Sequence, residues 1–186
     1  MTQIDAAAIV ALPAASYEGS GYRQQAPDFD PLSGEGARRQ GGRFNPPDDF
    51  PVLYLCSTRA CAVAEFNRAG NRLAIGPGGL LPRHLYRYDL RLDQIVDLTR
   101  SENLDQLGVS QSDLIGEELS ITRSIGEGAH SLGMQAVRSP SAAGRDHVLA
   151  LFIETIGSGV INPGLAEVWS TLHDVEGEGG QHQGES

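Results

Sequence analysis

Lysine is absent from the 186-residue sequence, so all 14 basic side chains are arginines, set against 24 acids for a formal net charge of −10. A phosphate backbone rewards clustered cations, so this balance excludes a general grip on nucleic acid, and no direct nucleic-acid partner is expected. The charge is uneven. Residues 1–72 carry seven arginines against eight acids, whereas residues 73–186 carry seven against sixteen. A planar, bidentate anion binder without a surplus of acid around it is therefore available only in the N-terminal third. No apolar run approaches the ~20 residues of a membrane span. No basic residue precedes Arg23, so Ile4 to Ala15 lacks the charged start of a signal peptide. A cytoplasmic protein without a membrane partner is expected.

Other signatures are missing too. Cysteine occurs twice, as Cys56 and Cys61, and both are expected as buried free thiols rather than a disulfide. The five histidines (His84, His130, His147, His173, His182) show neither the i, i+4 pairing nor the cysteine spacing of a zinc site. There is no GxSxG elbow and no Walker loop. Gly76-Pro-Gly-Gly has no Lys and reads as a turn.

What is present suits an α+β domain spanning residues 1–173, with small mixed or antiparallel sheets flanked by helices. Ser16 to Gln25 reads as an opening strand and Ala26 to Gly42 as a long loop of the kind that often serves binding. Pro51 to Leu55 suits a buried strand. Thr58 caps a predicted helix that Gly70 should end. On it Ala62, Glu65, Phe66 and Ala69 share a face, which sets Glu65 on or beside the packed side. Asn71 to Pro82 reads as a connector, His84 to Leu90 and Ile95 to Leu98 as two strands, and Ser112 to Leu132 as one or two helices. Gly133 to Arg138, His147 to Ile153 and Ala166 to Leu172 read as further strands. Residues 174–186 are Gly-, Gln- and Glu-rich and are expected to be a disordered acidic tail.

Polar residues recur through three neighbouring elements: Arg23, the run Gly41-Gly42-Arg43-Phe44-Asn45-Pro46-Pro47, Tyr54 and Glu65. Singly, each has a plainer reading as a surface ion pair, a core tyrosine or a solvated helix charge. Together the order resembles a family. Ser33-Gly-Glu-Gly-Ala-Arg-Arg-Gln-Gly-Gly-Arg-Phe-Asn-Pro-Pro, then Val52-Leu-Tyr-Leu, Ala62-Val-Ala-Glu and Val137-Arg-Ser-Pro-Ser-Ala are similar to the core of the RES domain. That family supplies the toxin of RES–Xre toxin–antitoxin systems. Phe44 departs from the pattern, because the family most often has Trp there.

The resemblance implies an enzyme that degrades nicotinamide adenine dinucleotide (NAD) and a fold like that of ADP-ribosyltransferases. It also implies a hetero-oligomer with an Xre-type antitoxin that covers the active site. NAD is then the substrate, with phosphate a candidate co-substrate and no separate cofactor or metal. The residues suit this chemistry. Arg23 and Arg43 can hold a pyrophosphate. The leaving pyridinium departs as neutral nicotinamide, so one anion, Glu65, is enough to stabilise an oxocarbenium-like ribose. Tyr54 offers a ring and a hydroxyl, and Ser141, rather than Ser139, a hydrogen bond. Glu65, Tyr54 and Arg23 are the expected catalytic residues, and Arg43, Arg23, Tyr54 and Ser141 the expected NAD-binding ones. The acceptor stays open between water, phosphate and a macromolecule to be ADP-ribosylated. An inactive module that only binds its antitoxin is the reading of another class.

Overall fold

The structure is a computed structural model that describes residues 4–144, 146–157 and 160–177. The elements run α1 (Ala6–Val10), β1 (Ala15–Gln25), α2 (Glu35–Gln40), β2 (Val52–Cys56), α3 (Arg59–Arg72), β3 (Arg83–Asp97), α4 (Ser101–Leu107), α5 (Gln111–Ile115), α6 (Ser120–Ser131), β4 (Ala136–Pro140), β5 (His147–Phe152), β6 (Ile161–Trp169) and α7 (Leu172–Glu176). The mixed α+β class expected from the sequence is what the described residues form.

One six-stranded sheet replaces the several small ones expected. Its order is β1-β2-β5-β4-β3-β6, and β1 also pairs with β3. The pairings therefore run round five strands and back to β1, with β6 added outside on β3. Among the described strands only β3 and β4 run parallel, over Ile95–Asp97 and Ala136–Arg138. Strand alternation divides the apolar residues between two clusters. Leu53, Leu55, Tyr88, Leu90, Leu149 and Leu151 pack inside the ring. Val52, Val96, Val137, Ala150 and Phe152 face outward, where Phe44, Leu114, Ile125 and Ala129 cover them. A third cluster joins Cys61, Ala62 and Phe66 of α3 to Leu85, Trp169 and Val175. Fully burying each of these large side chains contributes roughly 1.5–3 kcal/mol.

The ring is loosest between its first two strands. β1 and β2 meet only at Tyr22 and Cys56, whereas β1 pairs with β3 from Ala15 to Gln25. The residues at this junction are left facing a gap between the two strands.

Several boundaries differ from the sequence reading. The loop after β1 contains the short helix α2, which buries none of its residues. Helix α3 passes through Gly70 and ends two residues later. A Cβ on Gly70 would lie 2.5 Å from Pro77 N and 2.6 Å from Gly76 C, so this glycine admits a neighbouring backbone rather than ending a helix. The two strands expected at 84–90 and 95–98 are one: inward alternation continues through Leu90 to Leu92, and an irregularity in the pairing with β1 between Leu92 and Ile95 returns Ile95 to the same cluster. The segment 112–132 holds two helices, α5 and α6, and α4 precedes them unforeseen. Gly126 sits inside α6 because the Phe44 carbonyl lies against it, where any Cβ would collide.

Asp174, Val175 and Glu176, expected to belong to a tail, lie in α7. Thr171 and Asp174 form a reciprocal cap on α7, and Val175 is buried against the α3 side of the fold. One apolar residue and a capping pair suffice to dock this turn. Residues 178–186 of that segment lie outside the described residues.

Candidate active site

The gap between β1 and β2 opens into a cleft of about 390 Å³, within the size range of small-molecule sites. Tyr22, Arg23 and Gln24 come from β1, Tyr54, Leu55 and Cys56 from β2, and Ala62, Glu65, Arg68 and Ala69 from α3. The loop Gly41–Phe44 and the segment at Pro140 and Ala142 complete the wall. The three-and-four spacing on α3 is what turns Ala62, Glu65 and Ala69 towards one space. Thr58 caps this helix by accepting from Cys61 N, which sets the phase of that face.

Glu65 receives a hydrogen bond from Ser141, Oγ to Oε1, at 2.8 Å. Ser141 is buried, and its Oγ also accepts from Ala143 N at 3.1 Å, so the hydroxyl is held in place. Ser139 is fully buried, and its hydroxyl reaches only the Pro140 carbonyl, at 3.4 Å. Of the two serines, Ser141 is the one joined to Glu65.

The glycine pair before Arg43 serves two separate needs. Gly41 has φ +70°, a conformation that L side chains rarely adopt. Gly42 lies against the Tyr54 ring: an added Cβ would be 2.6 Å from Cε2 and 2.7 Å from Asn45 Oδ1. The Tyr54 hydroxyl fastens the loop from the other side. It accepts from Phe44 N and donates to Asn45 Oδ1, each at 2.8 Å. Burial pushes its pKa well up, so it stays a neutral phenol. Asn45 in turn donates to the Ala37 carbonyl. Tyr54 thus presents its ring to the cleft, while its hydroxyl, expected to orient a substrate, is occupied within the protein. Phe44 is fully buried in the core. At this position the aromatic ring serves packing.

Arg23 donates from Nη1 to the Ser33 carbonyl at 3.1 Å, and burial lowers its pKa. Among the described residues no carboxylate lies within 4.0 Å of Arg23 or Arg43 in an ion pair. Arg43 donates to the Gly116 carbonyl at 2.9 Å. Its pKa is lowered first by burial and then by the neighbouring positive charge of Arg68, with Glu65 and Glu117 acting the other way. Two guanidiniums without a carboxylate in contact, beside a held carboxylate, are an arrangement that can receive an anion.

A RES domain family model matches residues 18–167. The chain belongs to the RES domain family. The match spans the cleft residues described in this section, from Tyr22 to Ala143. Among curated proteins, the NAD(+) phosphorylase MbcT of Mycobacterium tuberculosis and that of Mycobacterium bovis are each 34% identical over 125 residues, which is 66% of this chain and 67% of theirs. Among solved structures, the crystal structure of the M. tuberculosis MbcT–MbcA toxin–antitoxin complex holds a similar chain. Its TM-score is 0.78 at 28% identity, covering 89% of this chain and 91% of that one.

In this RES domain the structure brings Arg23, Arg43, Tyr54, Glu65 and Ser141 to one place: four line the cleft and Ser141 reaches it through Glu65. Arg68 and Gln24 are among the lining residues that sequence reasoning missed. Arg68 is three residues after Glu65 on the same helical face, so the spacing that singled out Glu65 also pointed to it. Gln24 carried no such signal. Its Oε1 is buried with no hydrogen-bond partner among the described residues, an acceptor left open at the cleft. Arg123 acts one step back, donating Nε–H to the Gly42 carbonyl at 3.1 Å. The two thiols are free and buried, as expected, with Cys56 at the cleft wall. Among the described residues no helix is long and apolar enough to cross a membrane.

Proposed function

We propose that this chain cleaves NAD at the bond between nicotinamide and ribose, with phosphate or water as acceptor, as the toxin of a bacterial toxin–antitoxin pair. The observation that carries this reading is the Glu65 carboxylate, held at 2.8 Å by Ser141 in a cleft that Arg23, Arg43 and Arg68 line. The 34% identity to an NAD(+) phosphorylase supports it.

Each residue then has a role. Arg23 and Arg43 hold the pyrophosphate, their planar forks matching its oxygens. The Tyr54 ring flanks the nicotinamide ribose. Glu65 faces the positive charge that develops on the ribose as the C–N bond breaks, and its electrostatic stabilisation is strongest in the transition state. The bonding pair goes to the pyridinium nitrogen, which leaves as neutral nicotinamide and needs no acid. Ser141 fixes the carboxylate so that little reorganisation is needed. NAD is the substrate, and no resident cofactor or metal takes part.

The similarity to the MbcT–MbcA complex supports a protein antitoxin as partner. In this reading it is of Xre type, covers the cleft and forms a hetero-oligomer with the toxin in the cytoplasm, where NAD is at hand. We read the five-stranded ring, with its cleft between two splayed strands, as a fold of the ADP-ribosyltransferase kind.

The test is to incubate the purified chain with NAD, with and without inorganic phosphate, and to identify the products by mass spectrometry. Free nicotinamide with ADP-ribose or its 1″-phosphate is expected. Intact NAD under both conditions would refute the reading.

A further inference from the structure

Two arginines on different elements are fastened side by side by consecutive residues. Arg43 donates to the carbonyl of Gly116, and Arg68 contacts the carboxylate of Glu117 at 3.4 Å. Both line the cleft with Glu65, and Arg68 stands one helical turn beyond it on α3. Glu117 is a weak counterion, since its side chain is 90% exposed. Burial first, and then the neighbouring Arg68 charge, lower the pKa of Arg43. Crowding like charges in a chain of net charge −10 is unfavourable unless an anion settles between them.

Arg23 comes from β1 and is held by the Ser33 carbonyl. Arg68 shares a helical face with Glu65 and so stands beside that carboxylate. A second substrate that attacks the ribose must arrive beside that carboxylate. If it is itself an anion, a cation has to offset the repulsion from Glu65.

We infer that Arg68 binds the acceptor, an inorganic phosphate dianion, and guides it to the ribose carbon beside Glu65. This rests on the reading of the chain as an NAD-cleaving enzyme and makes it a phosphorylase. A phosphate oxygen forms the new bond to the ribose C1″ as the C–N bond breaks. The bonding pair leaves on nicotinamide, and the phosphate keeps its own proton in ADP-ribose 1″-phosphate. Arg43 adds its charge to the attraction while it holds NAD.

The test is steady-state nicotinamide release by the purified full chain, titrated separately with inorganic phosphate and with NAD. Arg68→Gln should raise the half-saturating phosphate concentration by about tenfold or more, the scale of a lost charge-assisted hydrogen bond, and raise that for NAD much less. Arg68→Lys, which keeps the charge but not the fork, should recover part of the loss. Thermal unfolding checks that both variants fold. An unchanged phosphate requirement in Arg68→Gln, or equal loss towards NAD and phosphate, overturns the inference and leaves NAD cleavage standing. Nicotinamide release by the parent that does not depend on phosphate overturns it as well. A parent that leaves NAD intact overturns the functional reading and this inference with it.

Discussion

Ser141 and Glu65, 76 residues apart in the chain, are joined by a 2.8 Å hydrogen bond from hydroxyl to carboxylate. The serine follows β4 and the glutamate lies on α3, so the bond exists only once the ring of strands has closed. It fixes one oxygen of the carboxylate and leaves the group at the cleft wall. Ser141→Ala should lower kcat by roughly 10–100-fold, the range for a hydrogen bond to a charged group, with a small change in KM for NAD. Ser139→Ala should keep most of the activity. Comparable losses in both would show that the segment matters only for packing.

Arg43 offers a planar fork at a wall without a paired carboxylate. Arg43→Lys keeps the charge and loses the fork, so NAD use should weaken by about 1–3 kcal/mol in kcat/KM. Nicotinamide release across an NAD titration measures it. Parental kinetics in the Lys variant would make Arg43 a surface cation held by the Gly116 carbonyl.

The loop that carries Arg43 depends on contact between Gly42 and Tyr54. Gly42→Ala places a Cβ within 2.6 Å of the Tyr54 ring. It should cost about 1–3 kcal/mol of stability, as overpacking typically does. Tyr54→Phe keeps the ring and frees Phe44 N and Asn45 Oδ1, so it should also destabilise, by about 1–3 kcal/mol. Denaturant unfolding of both variants reads this out. A fully stable Tyr54→Phe would mean that the hydroxyl is available to a ligand after all.

Much of this site was legible in the sequence because it depends on local spacing. The helical period turned Glu65 inward, and the paired glycines announced a tight loop before Arg43. The choice of Ser141 came from the motif and not from local physics. What could not be read is set by long-range register. Nothing local shows that β1 and β2 meet only at Tyr22 and Cys56, which is what opens the cleft and exposes Gln24 to it. Nor does it show that the Tyr54 hydroxyl is taken by Asn45. Gly70 looked like a helix stop because its real reason, the approach of the Gly76–Pro77 backbone, lies outside the helix. Val175 alone in a polar segment gave no sign of docking, because its partners, Phe66 and Trp169 among them, come from elsewhere in the chain.

Acid should weaken the segment that carries Ser141. Arg138 donates Nη2 to His147 Nε2 at 2.9 Å, so the ring is neutral with its proton on Nδ1. Burial, and then the Arg138 charge, lower the His147 pKa from its ordinary 6.5. With the folded value below the unfolded one, this stabilisation is complete above about pH 6.5 and is lost as pH falls through the folded pKa. The melting temperature should drop between pH 7 and pH 5, and His147→Gln should lose less over that interval. Equal losses in the parent and the variant would remove His147 as a source.

Glu65 carries the negative charge on which the proposed cleavage depends. Glu65→Gln preserves shape and polarity and removes the negative charge, so the fold should survive while transition-state stabilisation is lost. The measurement is a time course of nicotinamide release from NAD and phosphate by the parent and by Glu65→Gln at equal concentration. Steady release by the parent and a rate lower by about 10²–10³ in the variant, mainly through kcat, are expected. A folded Glu65→Gln protein that consumes NAD at the parental rate would contradict the proposed role of Glu65.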